Sequence, residues 1–197
     1  MKKILFLLLI ITGTFGKPVF GQAQLTQLQY TAGFAVGDFN DFISQASFRG
    51  GTFEYHKMMF SNVGFGFEVG WSAFYKEYEN ETFTDGTQSI SGNQFRYCST
   101  VPVLASVNYY TKPGKEFNPF AGIGIGTEFS RSDLDMGIFT KQVDTWHFAL
   151  KPEIGIIKRV AATTGLILSA KYYHAFKTQE IGARSYVAAN IGLVWGY

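Results

Sequence analysis

Strict alternation of large apolar residues with small or polar ones is the feature that most constrains this chain. The clearest example is the segment 63–73, where Val, Phe, Phe, Val, Trp and Ala alternate with Gly, Gly, Glu, Gly and Ser. A period of two residues is typical of a β-strand with two different faces. A helix is excluded for this segment, because each glycine in a helix interior would cost about 1 kcal/mol. The pattern therefore predicts strands.

Eight segments share this alternation, and most have about ten residues, the length that a tilted strand needs to cross a bilayer. Long and short connections alternate between them, which is typical of a barrel whose two ends face different compartments. The predicted strands are 27–37, 48–57, 63–75, 98–110, 117–130, 146–157, 165–175 and 186–197. The predicted long loops are 38–47, 76–96, 131–145 and 176–185.

The face opposite the large apolar residues consists mostly of Gly, Ala and Ser with a few charges. Such residues are too small to form the polar exterior of a soluble sandwich or lipocalin-like barrel. They fit the lumen of a narrow eight-stranded barrel, whose interior has just enough room for side chains. The strands must also close on themselves, since an open edge would leave backbone groups unsatisfied in lipid. The sequence thus predicts a closed, eight-stranded, antiparallel, up-and-down transmembrane β-barrel.

If the chain enters each odd-numbered strand from the periplasm, the large aromatic residues fall into two groups, one at the outer ends and one at the periplasmic ends of the predicted strands. This predicts two aromatic belts, one at each membrane interface. The outer belt is predicted to contain Trp71, Tyr75, Trp146 and Tyr172, and the periplasmic belt Tyr30, Tyr109, Trp195 and Tyr197.

The first 23 residues have the layout of a secretory signal peptide. Lys2 and Lys3 precede an apolar run from Ile4 to Ile11, and 21–23 (Gly-Gln-Ala) is a small-x-small cleavage site. A membrane anchor is the alternative, but the apolar run is too short to span a bilayer. We therefore predict a signal peptide at 1–23 and a barrel domain at 24–197. Removing three lysines lowers the formal charge from +2 to about −1, which argues against a nucleic-acid partner.

The final strand resembles the C-terminal signal of bacterial outer-membrane proteins through Asn190, Gly192, Trp195 and Tyr197. That resemblance implies the barrel-assembly machinery as a transient partner. Segments 48–55, 63–75, 101–104 and 118–124 are similar to small OmpA/OmpX-like barrels of the porin family in Bacteroidetes-type bacteria. The resemblance implies a Gram-negative outer membrane, with lipid and lipopolysaccharide around the barrel and both termini periplasmic. Fold does not by itself specify activity.

Seven ionisable residues occupy the alternate strand positions (the parity) that point toward the lumen. Because an isolated buried ion costs many kcal/mol, they must pair or hydrogen-bond. The favoured interpretation is a network that plugs the barrel, and a narrow gated ion path is the alternative. A diffusion pore is not expected, since it needs about 16 strands. The seven are Glu54, His56, Glu68, Glu128, Lys151, Glu153 and Lys171.

Some eight-stranded barrels modify lipid A, which makes enzyme activity a remote alternative. The lipid A deacylases use a lipid-facing His and Ser two residues apart, but His174 has Phe176 at that position. His147 lies near the predicted outer rim without a local pattern that ties it to a Ser. A base without a nucleophile beside it does not support hydrolysis, so no enzyme activity is expected.

Metal and cofactor sites are not expected either. The three histidines are widely separated at positions 56, 147 and 174, and the one cysteine, Cys98, has no partner for a metal or disulfide motif. The favoured function is structural or surface recognition by a monomer, with extracellular ligands contacted by the four long loops.

Overall fold

The chain folds into one closed antiparallel barrel in which each strand pairs with its neighbours in sequence and β8 closes on β1. The predicted fold class is confirmed. The computed structural model describes residues 24–85, 88–136, 140–178 and 181–196, and the predicted signal peptide lies outside them. The strands are β1 (Gln24–Val36), β2 (Gly50–Met58), β3 (Val63–Asp85), β4 (Gln88–Tyr110), β5 (Phe117–Asp135), β6 (Thr140–Arg159), β7 (Thr164–Ala175) and β8 (Arg184–Trp195), with one short helix, α1 (Asp38–Phe42). No described helix is long and apolar enough to span a bilayer.

The two ends of the barrel differ in their connections. Three short connections (59–62, 111–116 and 160–163) lie at the end that we call the turn end. The opposite end, here the hairpin end, carries α1, the β3–β4 and β5–β6 hairpins, and the connection from β7 to β8.

Two of the predicted loops are mostly strand, and the prediction was wrong there. β3 and β4 remain paired as far as Asp85 and Gln88, so most of 76–96 is a β-hairpin. β5 and β6 likewise remain paired as far as Asp135 and Thr140. Above the apolar band neither strand face has to be apolar, so the alternation that marks a strand disappears although the backbone pairing continues.

The predicted loop 38–47 is helical in its first half. Its first residues form α1, and Phe39 and Ile43 are completely buried in the hairpin end of the lumen. Phe39 packs edge-on against Phe74, with ring centroids 4.9 Å apart. This connection therefore closes the mouth of the barrel instead of projecting from it.

The outer surface is a band of exposed apolar side chains. Phe117 and Phe129 bound this band on β5, twelve residues apart. At about 3.3 Å per residue and a tilt of about 40°, the band is about 30 Å high, close to the thickness of a bilayer hydrocarbon core. Beyond Phe129, the outward-facing Arg131 donates two hydrogen bonds of 2.9 and 2.8 Å to Asp144. The guanidinium holds the pKa of Asp144 below its ordinary value, so the surface becomes charged where the apolar band ends.

Most residues of the predicted aromatic belts are exposed and lie toward the two ends of the apolar band. Trp71, Tyr75, Trp146 and Tyr172 lie eight to thirteen residues from the turn end of their strands. Tyr109 and Trp195 lie at the turn end, and Tyr197 is outside the described residues.

Tyr30 differs from the prediction, because it lies in the middle of β1. Its hydroxyl donates to the carbonyl of Phe48 in the connection at the hairpin end. β1 starts three residues earlier than predicted, which moves Tyr30 away from the turn end.

The seam between β8 and β1 contains three residues of the predicted assembly signal, Asn190, Gly192 and Trp195. Asn190 is buried, and its Oδ1 accepts a 2.7 Å hydrogen bond from Thr31 Oγ1. Gly192 faces Leu28 so closely that a Cβ atom would lie 2.0 Å from the Leu28 carbonyl oxygen. A side chain at this position would therefore push the two strands apart at the point where the barrel closes.

We expect Gly192→Ala to lower the free energy of unfolding by about 1–3 kcal/mol, because overpacking against a backbone atom cannot be relieved by a rotamer change. Urea unfolding in lipid vesicles measures the effect. Gly51→Ala is the matched control, since its Cβ would meet no atom closer than 3.6 Å. Equal stability of the two variants would contradict this description of the seam.

Candidate functional site

The lumen has three layers along the barrel axis. An apolar layer at the turn end contains Leu25, Tyr110, Phe120, Ile157, Ile167 and Val194. A second apolar layer at the hairpin end contains Phe39, Ile43, Phe74, Tyr173 and Tyr186 among others. Charged and amide side chains lie between them, and all seven ionisable residues that the sequence assigned to the lumen are buried. The polar layer is the candidate site.

Two lysines and three glutamates form the centre of the polar layer. Lys151 Nζ donates to Glu68 Oε2 at 2.6 Å and to Glu153 Oε2 at 2.7 Å. Lys171 Nζ donates to Glu68 Oε2 at 3.0 Å and to Glu54 Oε1. We call these five residues the ion cluster. Because they come from β2, β3, β6 and β7, the cluster crosses the lumen and connects the β2–β3 pair with the β6–β7 pair, which are not neighbours in the barrel.

Uncharged side chains add further hydrogen bonds to the ion cluster. Tyr173 donates to Glu68 Oε1 at 2.6 Å, and Gln29 Nε2 donates to Glu54 Oε1 at 2.9 Å. Ser169 in turn donates to Gln29 at 2.9 Å. Sequence reasoning did not single out these three residues. They have the same lumen-facing parity as the charged residues, and this position on the strand is the sequence signal that could have identified them.

His56 belongs to the edge of the same layer. Its Nε2 lies 2.9 Å from Ser106 Oγ and 3.9 Å from Glu54 Oε2, and the side chain is fully buried.

Glu128 is buried but lies apart from the ion cluster. Its Oε2 accepts a 3.2 Å hydrogen bond from Tyr186, and its Oε1 has no hydrogen-bond partner among the described residues. The predicted network of seven therefore consists of a connected group of six and one separate carboxyl nearer the hairpin end.

The glycines of β5 leave space for the ion cluster. A Cβ at Gly124 would lie 3.1 Å from Lys151 Cε, and one at Gly122 would lie 2.9 Å from Glu153 Oε1 and 2.0 Å from Asn108 Oδ1. Small residues on this face are therefore needed where long ionic side chains from other strands cross a narrow lumen.

Three carboxylates of the ion cluster (Glu54, Glu68 and Glu153) are close enough together to hold a metal ion. The ammonium groups of both lysines already donate to these carboxylates. Each lysine thus supplies the positive charge that a metal ion would bring.

Arginine side chains hold α1 in the mouth of the barrel. The Arg184 guanidinium carbon lies 4.9 Å from the Phe39 ring centroid and 4.5 Å from that of Phe42. Arg96 packs over Phe42 at 5.5 Å and donates a 3.1 Å hydrogen bond to its carbonyl. Each cation–π contact contributes about 0.5–2 kcal/mol, so these contacts stabilise α1 in the mouth of the barrel.

Two histidines contact serines that sequence reasoning did not connect with them. Ser130 Oγ lies 2.9 Å from His147 Nε2, and His174 Nδ1 lies 2.8 Å from Ser185 Oγ. His147 Nδ1 faces the Phe176 carbonyl at 2.8 Å, so Nδ1 carries the proton and Ser130 donates to Nε2. Both His147 and Ser130 are buried, which leaves no room for a substrate. The serines lie on neighbouring strands, where a search for spacing along one strand does not detect them.

Comparison with solved structures identifies the architecture. Neisserial surface protein A has a TM-score of 0.56 at 12% identity, covering 88% of this chain and 97% of that one. A major outer membrane protein from Thermus thermophilus has a TM-score of 0.56 at 11% identity, covering 89% and 99%. OprG from Pseudomonas aeruginosa has a TM-score of 0.53 at 14% identity, covering 89% and 96%. The fold is that of a small outer-membrane β-barrel.

No protein-family model and no curated protein matches this barrel. The likeness to solved structures therefore shows the fold of the barrel, while its function has to be argued from its own residues. The resemblance to barrels of Bacteroidetes-type bacteria stays a prediction.

We expect Lys151→Met to lower the free energy of unfolding by about 3–5 kcal/mol, because it leaves buried carboxylates without their cation. Denaturant titration of the refolded barrel in vesicles measures the change. Lys115→Met is the matched control, since Lys115 is exposed in a turn. Its replacement should change the free energy of unfolding by less than about 0.5 kcal/mol. A Lys151 variant as stable as the Lys115 variant would show that the ion cluster does not hold the lumen together.

Proposed function

We propose that this protein is an outer-membrane barrel with a sealed lumen that acts at the cell surface through its hairpin end. The observation that carries the proposal is the arrangement of the lumen: the ion cluster lies between two apolar layers, and α1 lies in the mouth above them. A solute would have to break buried ion pairs to pass. The barrel then serves as a rigid support for the elements at the hairpin end.

The hairpin end is suited to recognition because it projects beyond the apolar band. β3 continues for ten residues after Tyr75, which corresponds to about 30 Å of strand. Binding surfaces are often formed by segments that a rigid scaffold holds in place. In this proposal both termini and the short turns are periplasmic, as in barrels with short periplasmic turns and longer extracellular connections.

The remaining parts of the proposal concern partners. Outer-membrane lipid and lipopolysaccharide would contact the apolar band, and Asn190, Gly192, Trp195 and Tyr197 would be recognised by the barrel-assembly machinery. We propose a monomer without enzyme activity. In support, neither His147 nor His174 has a hydrogen bond or an ion pair with a carboxylate among the described residues, so neither forms a Ser–His–carboxylate triad.

Conductance in planar bilayers tests the sealed lumen. We expect no steady single-channel openings from the purified protein, because the ion pairs of Lys151 are completely buried. Steady openings whose conductance changes in Glu128→Gln or Lys151→Met would contradict the proposal. They would instead support the second candidate, a narrow gated ion path. That candidate is favoured by Asn108, whose buried amide atoms have no hydrogen-bond partner among the described residues.

Thiol labelling on intact cells tests the orientation. Cys98 is completely buried and is the one cysteine of the chain, so an introduced cysteine is the accessible thiol. We expect a membrane-impermeant maleimide to label Gln142→Cys at the hairpin end and not Lys115→Cys at the turn end. Lysed cells should label both variants. The opposite pattern on intact cells would reverse the proposed orientation.

A further inference from the structure

A cavity at the hairpin end is not explained by the sealed lumen. It has a volume of about 320 Å³ and lies between α1, the β5–β6 hairpin and the start of β8. This volume is at the lower end of the range of small-molecule sites, which is about 300–1,000 Å³. Its apolar wall consists of Phe42, Leu134, Val143 and Ile181, and Arg184 also lines it.

Arg184 has unused hydrogen-bonding capacity in this cavity. Its side chain is 94% buried, since only 6% is exposed. Nη2 donates a 3.0 Å hydrogen bond to Ser132 Oγ, while Nε is buried without a hydrogen-bond partner among the described residues. A guanidinium has five N–H donors in a planar fork, and the structure shows one hydrogen bond from Arg184, to Ser132.

No carboxylate of the described residues forms an ion pair with Arg184. Glu128 interacts with it only through space and is hydrogen-bonded to Tyr186 deeper in the lumen. Asp38 lines the same cavity but makes no salt bridge to Arg184. Two phenylalanine rings face the guanidinium. They stabilise the cation without supplying the anionic oxygens that a buried arginine ordinarily pairs with.

We propose that this cavity binds a small organic anion from outside the cell. The carboxylate or phosphate of the ligand accepts hydrogen bonds from Arg184, and its apolar part packs against Phe42, Val143 and Ile181. An anion compensates the buried positive charge, and a planar guanidinium favours groups with two adjacent oxygens. The apolar wall favours a ligand with a hydrophobic body over an inorganic ion. The inference rests on the proposed function, in which the hairpin end faces the outside.

Binding of benzoate to the full-length protein in phosphatidylcholine nanodiscs tests the site, with amide NMR shifts at Ser132, Val143 and Ile181 as the readout. We expect saturable binding of benzoate. Acetate lacks the apolar body and benzyl alcohol lacks the charge, so both should bind more weakly, by about tenfold or more, the scale of one charge-assisted hydrogen bond. Equal affinity for benzyl alcohol and benzoate would overturn the proposal, as would an absence of saturable benzoate binding.

Two variants test the roles of the charge and the cavity separately. Arg184→Gln should weaken benzoate binding by about tenfold or more. Arg131→Gln is its matched control, because it removes the same charge from an exposed position outside the cavity. Val143→Phe leaves Arg184 in place and fills the cavity, and it should also abolish binding. Unchanged binding in Val143→Phe would overturn the proposed location even if Arg184→Gln failed to fold.

A third arm identifies the source of the anion. Lipopolysaccharide in the nanodisc should leave benzoate binding unchanged if the ligand is a dissolved anion, and should compete with it if a lipid phosphate reaches Arg184. Either result supports an anion site, provided that competition is accompanied by lipopolysaccharide-induced shifts of the Ser132, Val143 and Ile181 amides in the native protein that Arg184→Gln loses. Conductance and thiol labelling do not depend on Arg184, so a failed binding experiment is distinguishable from a failure of the proposed function.

Discussion

The structure depends on the neutralisation of buried charges in a lumen that is too narrow to hydrate them. Lys151 and Lys171 bind three glutamates, of which Glu54 and Glu68 lie on β2 and β3, and each ammonium bonds to two carboxylates. Removing any one partner leaves an uncompensated buried ion, which is far more costly than the pair itself is stabilising. The cluster therefore specifies the arrangement of the strands across the barrel more than it adds stability, and it requires the small residues of β5 around it.

If the centre of the barrel is sealed, as proposed, the two ends of the barrel have different roles. The turn end is a compact rim, whereas the hairpin end carries paired strands that extend well beyond the apolar band. Arg96 and Arg184 hold α1 in the mouth through its phenylalanine rings. The cavity beside α1 thus has a fixed wall, which lowers the entropic cost of binding a ligand there.

Periodicity predicted the eight strands, and parity placed all seven ionisable residues on the face that the structure buries. The hairpins were missed because strands outside lipid have no obligatory apolar face. Asp85-Gly86 is a hairpin-type turn sequence that could have indicated the longer strands. The Ser130–His147 and His174–Ser185 pairs were missed because their members lie on adjacent strands, and their alignment depends on register. His174 is directly opposite Ser185, whereas Ser130 is two positions away from the residue opposite His147.

The sequence alone determined which side of each strand faces lipid, because a period of two residues assigns every side chain to one of two faces. Only the tertiary structure decided which lumen residues meet. Glu68 and Lys171 are 103 residues apart in the chain and on strands that do not pair, yet they are hydrogen-bonded in the lumen. Contacts across a closed barrel depend on the stagger between all eight strands, and no local pattern in one strand contains that quantity. For the same reason Glu128 lies outside the ion cluster although it is on the same face of its strand as the cluster residues. The contact of Arg184 with α1 at the mouth of the barrel likewise depends on the tertiary structure.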